Sequence, residues 1–414
     1  MTSEFIRRAG FTLGALLIYR LGCHIPLPGI NFEMVEQFFR TQPVGSPPVG
    51  GLKALLQASE SASHVAIFAL GIAPFVSAAV LLQLGGIIFS RLKLLQSKGE
   101  RGRQTLRRLT FGLTIVLAAF QAYGVGAALE QINGAVVDPG ALFLISTVAT
   151  MTGGAVFLAW LSEQMTAFGF GNGIALILLF GTMTALRDPI VTIADLNVRG
   201  LLSSNTLLSL IALIVLTTGV AVVCERARRH FPVNFSNRQI GNRVFEKMSS
   251  VLTIKLNPAG LIPAILASWL IGIATLVTYL IAGTDFADYL SPGKPVYLAL
   301  SAILIFLCTF FYTAYVFDPE QAADHLQQQG GAIALIAPGE ATIAYLDAAV
   351  SRIALVGAIY LTAICLLPDI LRFYLHVPLY LGGLPFLVLI CTALDFDHQI
   401  RGYLGFLPMS RRRT

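Results

Sequence analysis

Hydrolytic chemistry inside a membrane needs a serine and histidine that can pair, a His-Glu-x-x-His zinc motif, or two facing aspartates. Coupled ion transport needs an acid or histidine near mid-membrane that can bind and release the ion. The six histidines of this chain, His24, His64, His230, His325, His376 and His398, form no such set and read as interfacial residues. The acids nearest the long apolar runs, Glu163, Glu225, Asp318, Asp395 and Asp397, all fall near the ends of those runs, and only Arg20 lies well inside one. Arg20 reads equally as a snorkelling, capping or functional residue. Cys23, Cys224, Cys308, Cys365 and Cys391 sit in or beside apolar stretches without CxxC spacing, which predicts neither a disulfide nor a metal site. No Walker-type Gly-x-x-x-x-Gly-Lys-Ser/Thr loop is present, so energy would come from a separate GTP- or ATP-consuming partner. These residues predict no enzyme, no metal and no cofactor. A path without binding charges suits a passive conduit better than a pump.

The elements that position such residues are set by lipid. Of 414 residues 12% are charged and 56% hydrophobic, whereas a soluble chain would be roughly a quarter charged. A spanning helix takes about 20 apolar residues. Polar and Pro/Gly punctuation divides the sequence into runs of that order at 9–25, 65–90, 107–129, 141–163, 172–192, 205–224, 258–281, 295–316, 350–369 and 382–398. The runs are continuous rather than alternating, which excludes membrane strands. The expected fold class is an all-α membrane protein of about ten spans.

An even number of spans puts both termini on one side. With the N-terminus cytoplasmic, that side carries Arg7, Arg8, Arg91, Lys93, Lys98, Arg101, Arg103, Arg107, Arg108, Arg226, Arg228, Arg229, Arg238, Arg243, Lys247, Lys255, Arg352, Arg401 and Arg411 to Arg413. The other side holds Arg40, Lys53, Arg187, Arg199, Lys294 and Arg372. The positive-inside rule therefore puts both termini in the cytoplasm. The net charge of +6 reads as a retention signal in these loops rather than as nucleic-acid binding. Met1 to Arg8 lead into the first apolar run without a small-residue cleavage site, so that run is expected to be a retained span.

Between the first two spans, Gly50-Gly51-Leu52-Lys53-Ala54-Leu55-Leu56-Gln57-Ala58 is too short to cross and either lies on the surface or re-enters the interior. Span two contains Gly71-Ile72-Ala73-Pro74-Phe75-Val76-Ser77-Ala78, and span seven contains Gly260-Leu261-Ile262-Pro263-Ala264-Ile265-Leu266-Ala267. The two stretches share one pattern at the same rank in two sets of five spans. An odd number of spans per half makes the halves run in opposite directions, and matched Gly/Pro-interrupted helices in inverted repeats point to a transport path between them.

Six stretches in order carry a resemblance to the SecY family over nearly the whole chain. They are Ile25-Pro26-Leu27-Pro28-Gly29-Ile30, Ile67-Phe68-Ala69-Leu70-Gly71-Ile72-Ala73-Pro74, Gly169-Phe170-Gly171-Asn172-Gly173-Ile174, Asn257-Pro258-Ala259-Gly260-Leu261-Ile262-Pro263-Ala264-Ile265, Phe310-Phe311-Tyr312-Thr313-Ala314 and Pro338-Gly339-Glu340-Ala341-Thr342. The resemblance implies the pore-forming subunit of a bacterial inner-membrane translocase that conducts unfolded polypeptides across the bilayer and, through a lateral gate, into it. Its two halves would be 1–200 and 201–414. The pore ring falls on Ile72, Val76, Ile174, Leu178, Ile265 and Val388, and the re-entrant plug on about 50–63. A greasy ring of this kind stops water and ions by dewetting while offering a passing chain no specific contact. The lateral gate would draw polar groups from Ser77, Gln83, Gln121 and Ser268.

The resemblance also implies partners: a SecE-type clamp subunit, with room for a SecG-type one, the SecA motor or the ribosome, signal sequences, unfolded substrates and lipid. Cytoplasmic loops at about 225–256 and 317–349 would dock the motor or ribosomal RNA through Arg226, Arg228, Arg229, Arg238, Arg243, Pro338, Gly339 and Glu340. Two departures stand out. Ala337 replaces the arginine that the family usually has before Pro-Gly-Glu, and Asn242 replaces one member of a basic pair. They leave the pore reading intact, put ordinary motor coupling in doubt and suggest a diverged or accessory member. The alternative is a secondary transporter for a small solute, which inverted repeats also permit and which predicts a mid-membrane ionisable cluster.

Overall fold

The computed structural model describes residues 2–35, 65–89, 92, 95, 99–185, 187–200, 203–235, 239–240, 243–244, 249–282, 290, 294–333, 336–375 and 383–405. The expected plug at 50–63, with Arg238 and Asn242, lies outside them. The helices are α1 (Thr2–Gly22), α2 (Ala73–Ile88), α3 (Gly99–Glu130), α4 (Ala141–Phe168), α5 (Gly173–Ala185), α6 (Arg187–Val198), α7 (Ser204–Arg226), α8 (Ile262–Ala282), α9 (Pro295–Val316), α10 (Pro319–Gln328), α11 (Glu340–Leu375) and α12 (Gly383–Gly405). Each of the ten expected spans has a helix at its place. Five helical stretches among the described residues are long and apolar enough to cross a membrane by length and composition, and shorter apolar helices accompany them.

The boundaries differ where backbone chemistry intervenes. Span two was expected from residue 65, yet α2 begins at Ala73. Residues 65–71 are instead a buried non-helical segment. Its backbone pairs with the stretch after α1, through Leu27 N–H to the Val65 carbonyl at 3.1 Å and Ile67 N–H to the Ile25 carbonyl at 3.0 Å. Span seven likewise starts late, at Ile262. In both places the repeated motif marks a helix start rather than an interruption. Gly71 and Gly260 take φ values of +57° and +63°, which a side chain disfavours, and Pro74 and Pro263 then occupy the second helical position, where no N–H is required.

Strands were not expected in the loops read as cytoplasmic, but the loops at 225–256 and 317–349 contain them. β1 (Arg228–Phe235), β4 (Ser249–Lys255) and β5 (Gly331–Ile333) form one antiparallel sheet in the order β4-β1-β5, and β2 (Gln239–Ile240) pairs with β3 (Arg243–Val244). Arg228 stands opposite Lys255, and Val233 opposite Ile333. Pairing with β5 begins at Val233, so Pro232, with no N–H to donate, lies where β1 has one neighbour. The alternation of Phe231 and Val233 inward with Pro232 and Asn234 outward is short and crossed by arginines, which hid it among the loop residues. Phe231 and Ile254 pack on Ala349, Val350 and Ile353 of α11.

The chain divides into two compact units: residues 1–203 with 268–298 and 368–414, and residues 204–267 with 299–367. In the first, α3 packs on α4 and α2, and the 65–71 segment threads beside glycines of α1 and α4. A Cβ at Gly22 would meet Phe68 Cε2 at 1.9 Å, and one at Gly154 would meet the Ile67 carbonyl oxygen at 2.3 Å. The second unit repeats the device. A Cβ at Gly357 of α11 would lie 2.9 Å from the Leu256 carbonyl oxygen. Ile67 and Leu256 each precede their motif glycine by four residues.

Gly154→Ala is expected to destabilise the protein by about 1–3 kcal/mol, because backbone must move to admit the methyl. Gly153→Ala, which meets nothing within 4 Å, is the matched control. Thermal unfolding of both variants in detergent should lower the midpoint for the first alone.

Candidate functional site

Ile72 and Val76 are four residues apart at the start of α2, where Val76 N–H donates to the Ile72 carbonyl at 3.1 Å. Ile174 and Leu178 repeat that spacing on the first turns of α5. Their placement depends on the loop between α4 and α5. Phe170 N–H donates to Thr12 Oγ1 at 2.9 Å, Gly173 N–H to Thr166 Oγ1 at 2.8 Å, and Ile174 N–H to Asn172 Oδ1 at 3.0 Å. Asn172 thereby caps α5, and Thr12 ties the loop to α1. A Cβ at Gly173 would sit 2.0 Å from the Ser162 carbonyl oxygen, so only glycine lets α5 start this close to α4.

All four residues join one apolar cluster with Tyr19, Phe68, Phe75, Leu158, Met165 and Ile177, in which Ile72 is buried and the other three are partly buried. Val388 is buried on α12, which packs against α5. Ile265, partly buried in the first turn of α8, belongs to the second unit. The structure thus groups four of the six predicted ring residues and puts a fifth on a neighbouring helix.

Of the predicted gate residues, Ser77 is buried and Gln83 partly buried on α2, Gln121 is partly buried on α3, the helix against which α2 packs, and Ser268 is exposed on α8. Of the predicted docking residues, Arg226, Arg228 and Arg229 are exposed at the end of α7 and the start of β1. The Arg229 guanidinium lies 5.3 Å from the Phe231 ring centre. Arg243 stands in β3. Pro338 and Glu340 are exposed, and Gly339 takes φ +99° immediately before α11. There Thr342 and Ile343 N–H groups donate to the Gly339 carbonyl, and Thr342 Oγ1 donates to the Ala337 carbonyl at 2.9 Å. The Pro-Gly-Glu motif therefore shapes a helix start, with position 337 exposed beside it.

Two arrangements were not legible in the sequence. Arg107 in the N-terminal third of α3 makes a two-pronged ion pair with Glu163 near the end of α4, its Nε donating to Oε1 at 2.8 Å. Asn257 binds Glu225, and Tyr360 reaches the same carboxylate. Their separations of 56, 32 and 135 positions leave no local signal. Among the described residues no group of three or more His, Cys, Asp or Glu could hold a metal ion.

The family model for SecY matches residues 66–396. The protein translocase subunit SecY of Escherichia coli K12 is 36% identical over 410 residues, covering 96% of this chain and 91% of that protein. The chain belongs to the SecY family. The subunit of Rickettsia bellii is 34% identical over 97% of this chain and 94% of its own length, and that of Vibrio cholerae 36% over 97% and 92%. Among solved structures, a protein-conducting channel superposes with a TM-score of 0.69 at 18% identity, covering 99% of this chain and 95% of that one. Sec61 of the canine ribosome-channel complex gives 0.65 at 16% identity, covering 99% and 95%. The chain is thus a multi-pass membrane protein with the all-α SecY/Sec61 channel fold.

Thr12→Val keeps the shape of the side chain but leaves the buried Phe170 N–H without its acceptor. A loss of about 1–3 kcal/mol is expected, read as a lower unfolding midpoint in detergent, whereas Thr12→Ser should stay near the unmodified protein.

Proposed function

We propose that the chain is the pore-forming subunit of a protein translocase, conducting unfolded polypeptides across a membrane and releasing apolar segments sideways into lipid. The observation that carries this reading is identity of about a third or more with translocase subunits along almost the whole chain. The apolar grouping of Ile72, Val76, Ile174 and Leu178 is compatible with it. In this reading those four, with Ile265 and Val388, make the dewetting ring between the halves 1–200 and 201–414. Residues 50–63 are the plug. Ser77, Gln83, Gln121 and Ser268 line the gate, where side-chain hydrogen bonds between helices average only about 0.6 kcal/mol, weak enough for an apolar signal helix to displace.

No covalent step belongs to this function. The membrane is the bacterial inner membrane, with both termini in the cytoplasm. Partners are a SecE-type subunit, with room for a SecG-type one, and the SecA motor or the ribosome at the basic loops. Ala337 weakens ordinary motor coupling, which makes this a diverged or accessory member.

Replacing both Ile72 and Ile265 with Gly removes apolar bulk from the ring. A several-fold rise in ion leak across proteoliposomes is expected, and vesicles that stay tight would contradict the ring. Ala337→Arg should raise motor-dependent secretion of a reporter. A chain already as active as an ordinary SecY and unmoved by the substitution would contradict the coupling reading.

A further inference from the structure

The second unit contains a polar junction that neither ring, gate nor docking residues use. Asn257 is 3% exposed. Its Nδ2 donates to Glu225 Oε1 at 3.0 Å and to the Gly260 carbonyl at 3.1 Å, while its Oδ1 accepts Gly260 N–H at 3.0 Å. Only one orientation of the amide serves both backbone groups of Gly260, so the network itself assigns the nitrogen to Glu225. Tyr360 of α11 adds its hydroxyl, 3.3 Å from Glu225 Oε1 and 3.5 Å from the Ala221 carbonyl. One carboxylate oxygen at the end of α7 thus gathers the residue that shapes the entry to α8 and a side chain of α11.

We infer that Glu225, Asn257 and Tyr360 are positioning residues that latch the start of α8 in the closed state of the channel. The inference rests on the translocase reading above. The junction sits immediately before the α8 turn that carries Ile265, whose N–H donates to the Leu261 carbonyl at 3.2 Å. The cytoplasmic hairpin is rooted in it as well. Leu256 N–H donates to the Ala227 carbonyl at 2.9 Å, with Arg228 opposite Lys255. Ala227 lies two residues after Glu225, and Leu256 one before Asn257. A partner that shifts the hairpin therefore pulls on both sides of the Glu225–Asn257 bond.

The equivalent position in the first unit makes the contrast. Three residues before its motif glycine stands Phe68, buried and stacked with Tyr19 and Phe157 at ring-centre distances of 6.4 and 5.8 Å. Withdrawing an aromatic ring from such a slot exposes apolar area to water. Where the opened junction admits water, the hydrogen bonds at Asn257 exchange for bonds to water at small net cost. The α8 side is thus held by the more readily released of the two anchors.

The test uses the full chain, purified with whatever small subunits accompany it, in vesicles loaded with a potassium-sensitive dye. Tyr360→Phe should raise leak several-fold at an unchanged unfolding midpoint, and Glu225→Ala and Asn257→Ala should leak several-fold more than Thr12→Val, which lowers the midpoint without touching the junction. Glu225→Gln, which retains the Oε1 acceptor, should restore the seal relative to Glu225→Ala. The double variant Glu225→Ala with Asn257→Ala should leak no more than the stronger single one. Tyr360→Phe loses a single hydroxyl, and so keeps the test live if the alanine variants do not accumulate. Tight vesicles from these variants alongside leaking Ile72→Gly/Ile265→Gly vesicles would overturn the latch and spare the channel. Leak no greater than that of Thr12→Val at a matched fall in unfolding midpoint would reduce the three residues to a structural role and overturn it too. Tight Ile72→Gly/Ile265→Gly vesicles would instead remove the ring on which the latch acts.

Discussion

In the hydrocarbon of a bilayer, every peptide N–H and C=O must find its partner within the protein, because each group left bare costs several kcal/mol. Long apolar runs therefore fold as helices, and non-helical backbone at depth survives only where other protein chain satisfies it. The non-helical segment 65–71 is satisfied by pairing with residues 25–27, and residues 256–260 through Ala227 and the Asn257 amide. Ile72 and Ile265 follow these two segments closely, so the geometry of the proposed ring depends on how that backbone is satisfied.

Glycine makes such satisfaction sterically possible. Gly154 and Gly357 leave room for the carbonyls of Ile67 and Leu256, and Gly71 and Gly260 supply the positive φ that turns each segment into its helix. Two units with different side chains thus reach the same local solution. The repeated Gly-x-x-Pro pattern is its trace in sequence. What fills the space beside the segment has diverged, with aromatic stacking around Phe68 in one unit and hydrogen bonding around Asn257 in the other.

The sheet built from the loops after α7 and α10 belongs to the same economy of backbone partners. β1 joins loop 225–256 to loop 317–349 through β5, and Phe231 and Ile254 seat the hairpin on α11. The basic residues at its root are consequently carried on ordered strand rather than on a free loop.

The sequence by itself determined the class and the order of the helices, each at its expected place but not always at its expected start. Those follow from local quantities: apolar length, charge asymmetry between loops, and Gly and Pro at fixed offsets. The family resemblance, a matter of ordered motifs, was legible at the same level. Tertiary structure alone decided that residues 65–71 leave the helix, that Ile72, Val76, Ile174 and Leu178 share one cluster, and that Glu225, Asn257 and Tyr360 meet. Each of these outcomes depends on backbone or side-chain partners supplied from elsewhere in the chain. No spacing encodes a hydrogen bond across 135 positions; it exists only once helices have packed and two distant groups compete for the same carboxylate oxygen.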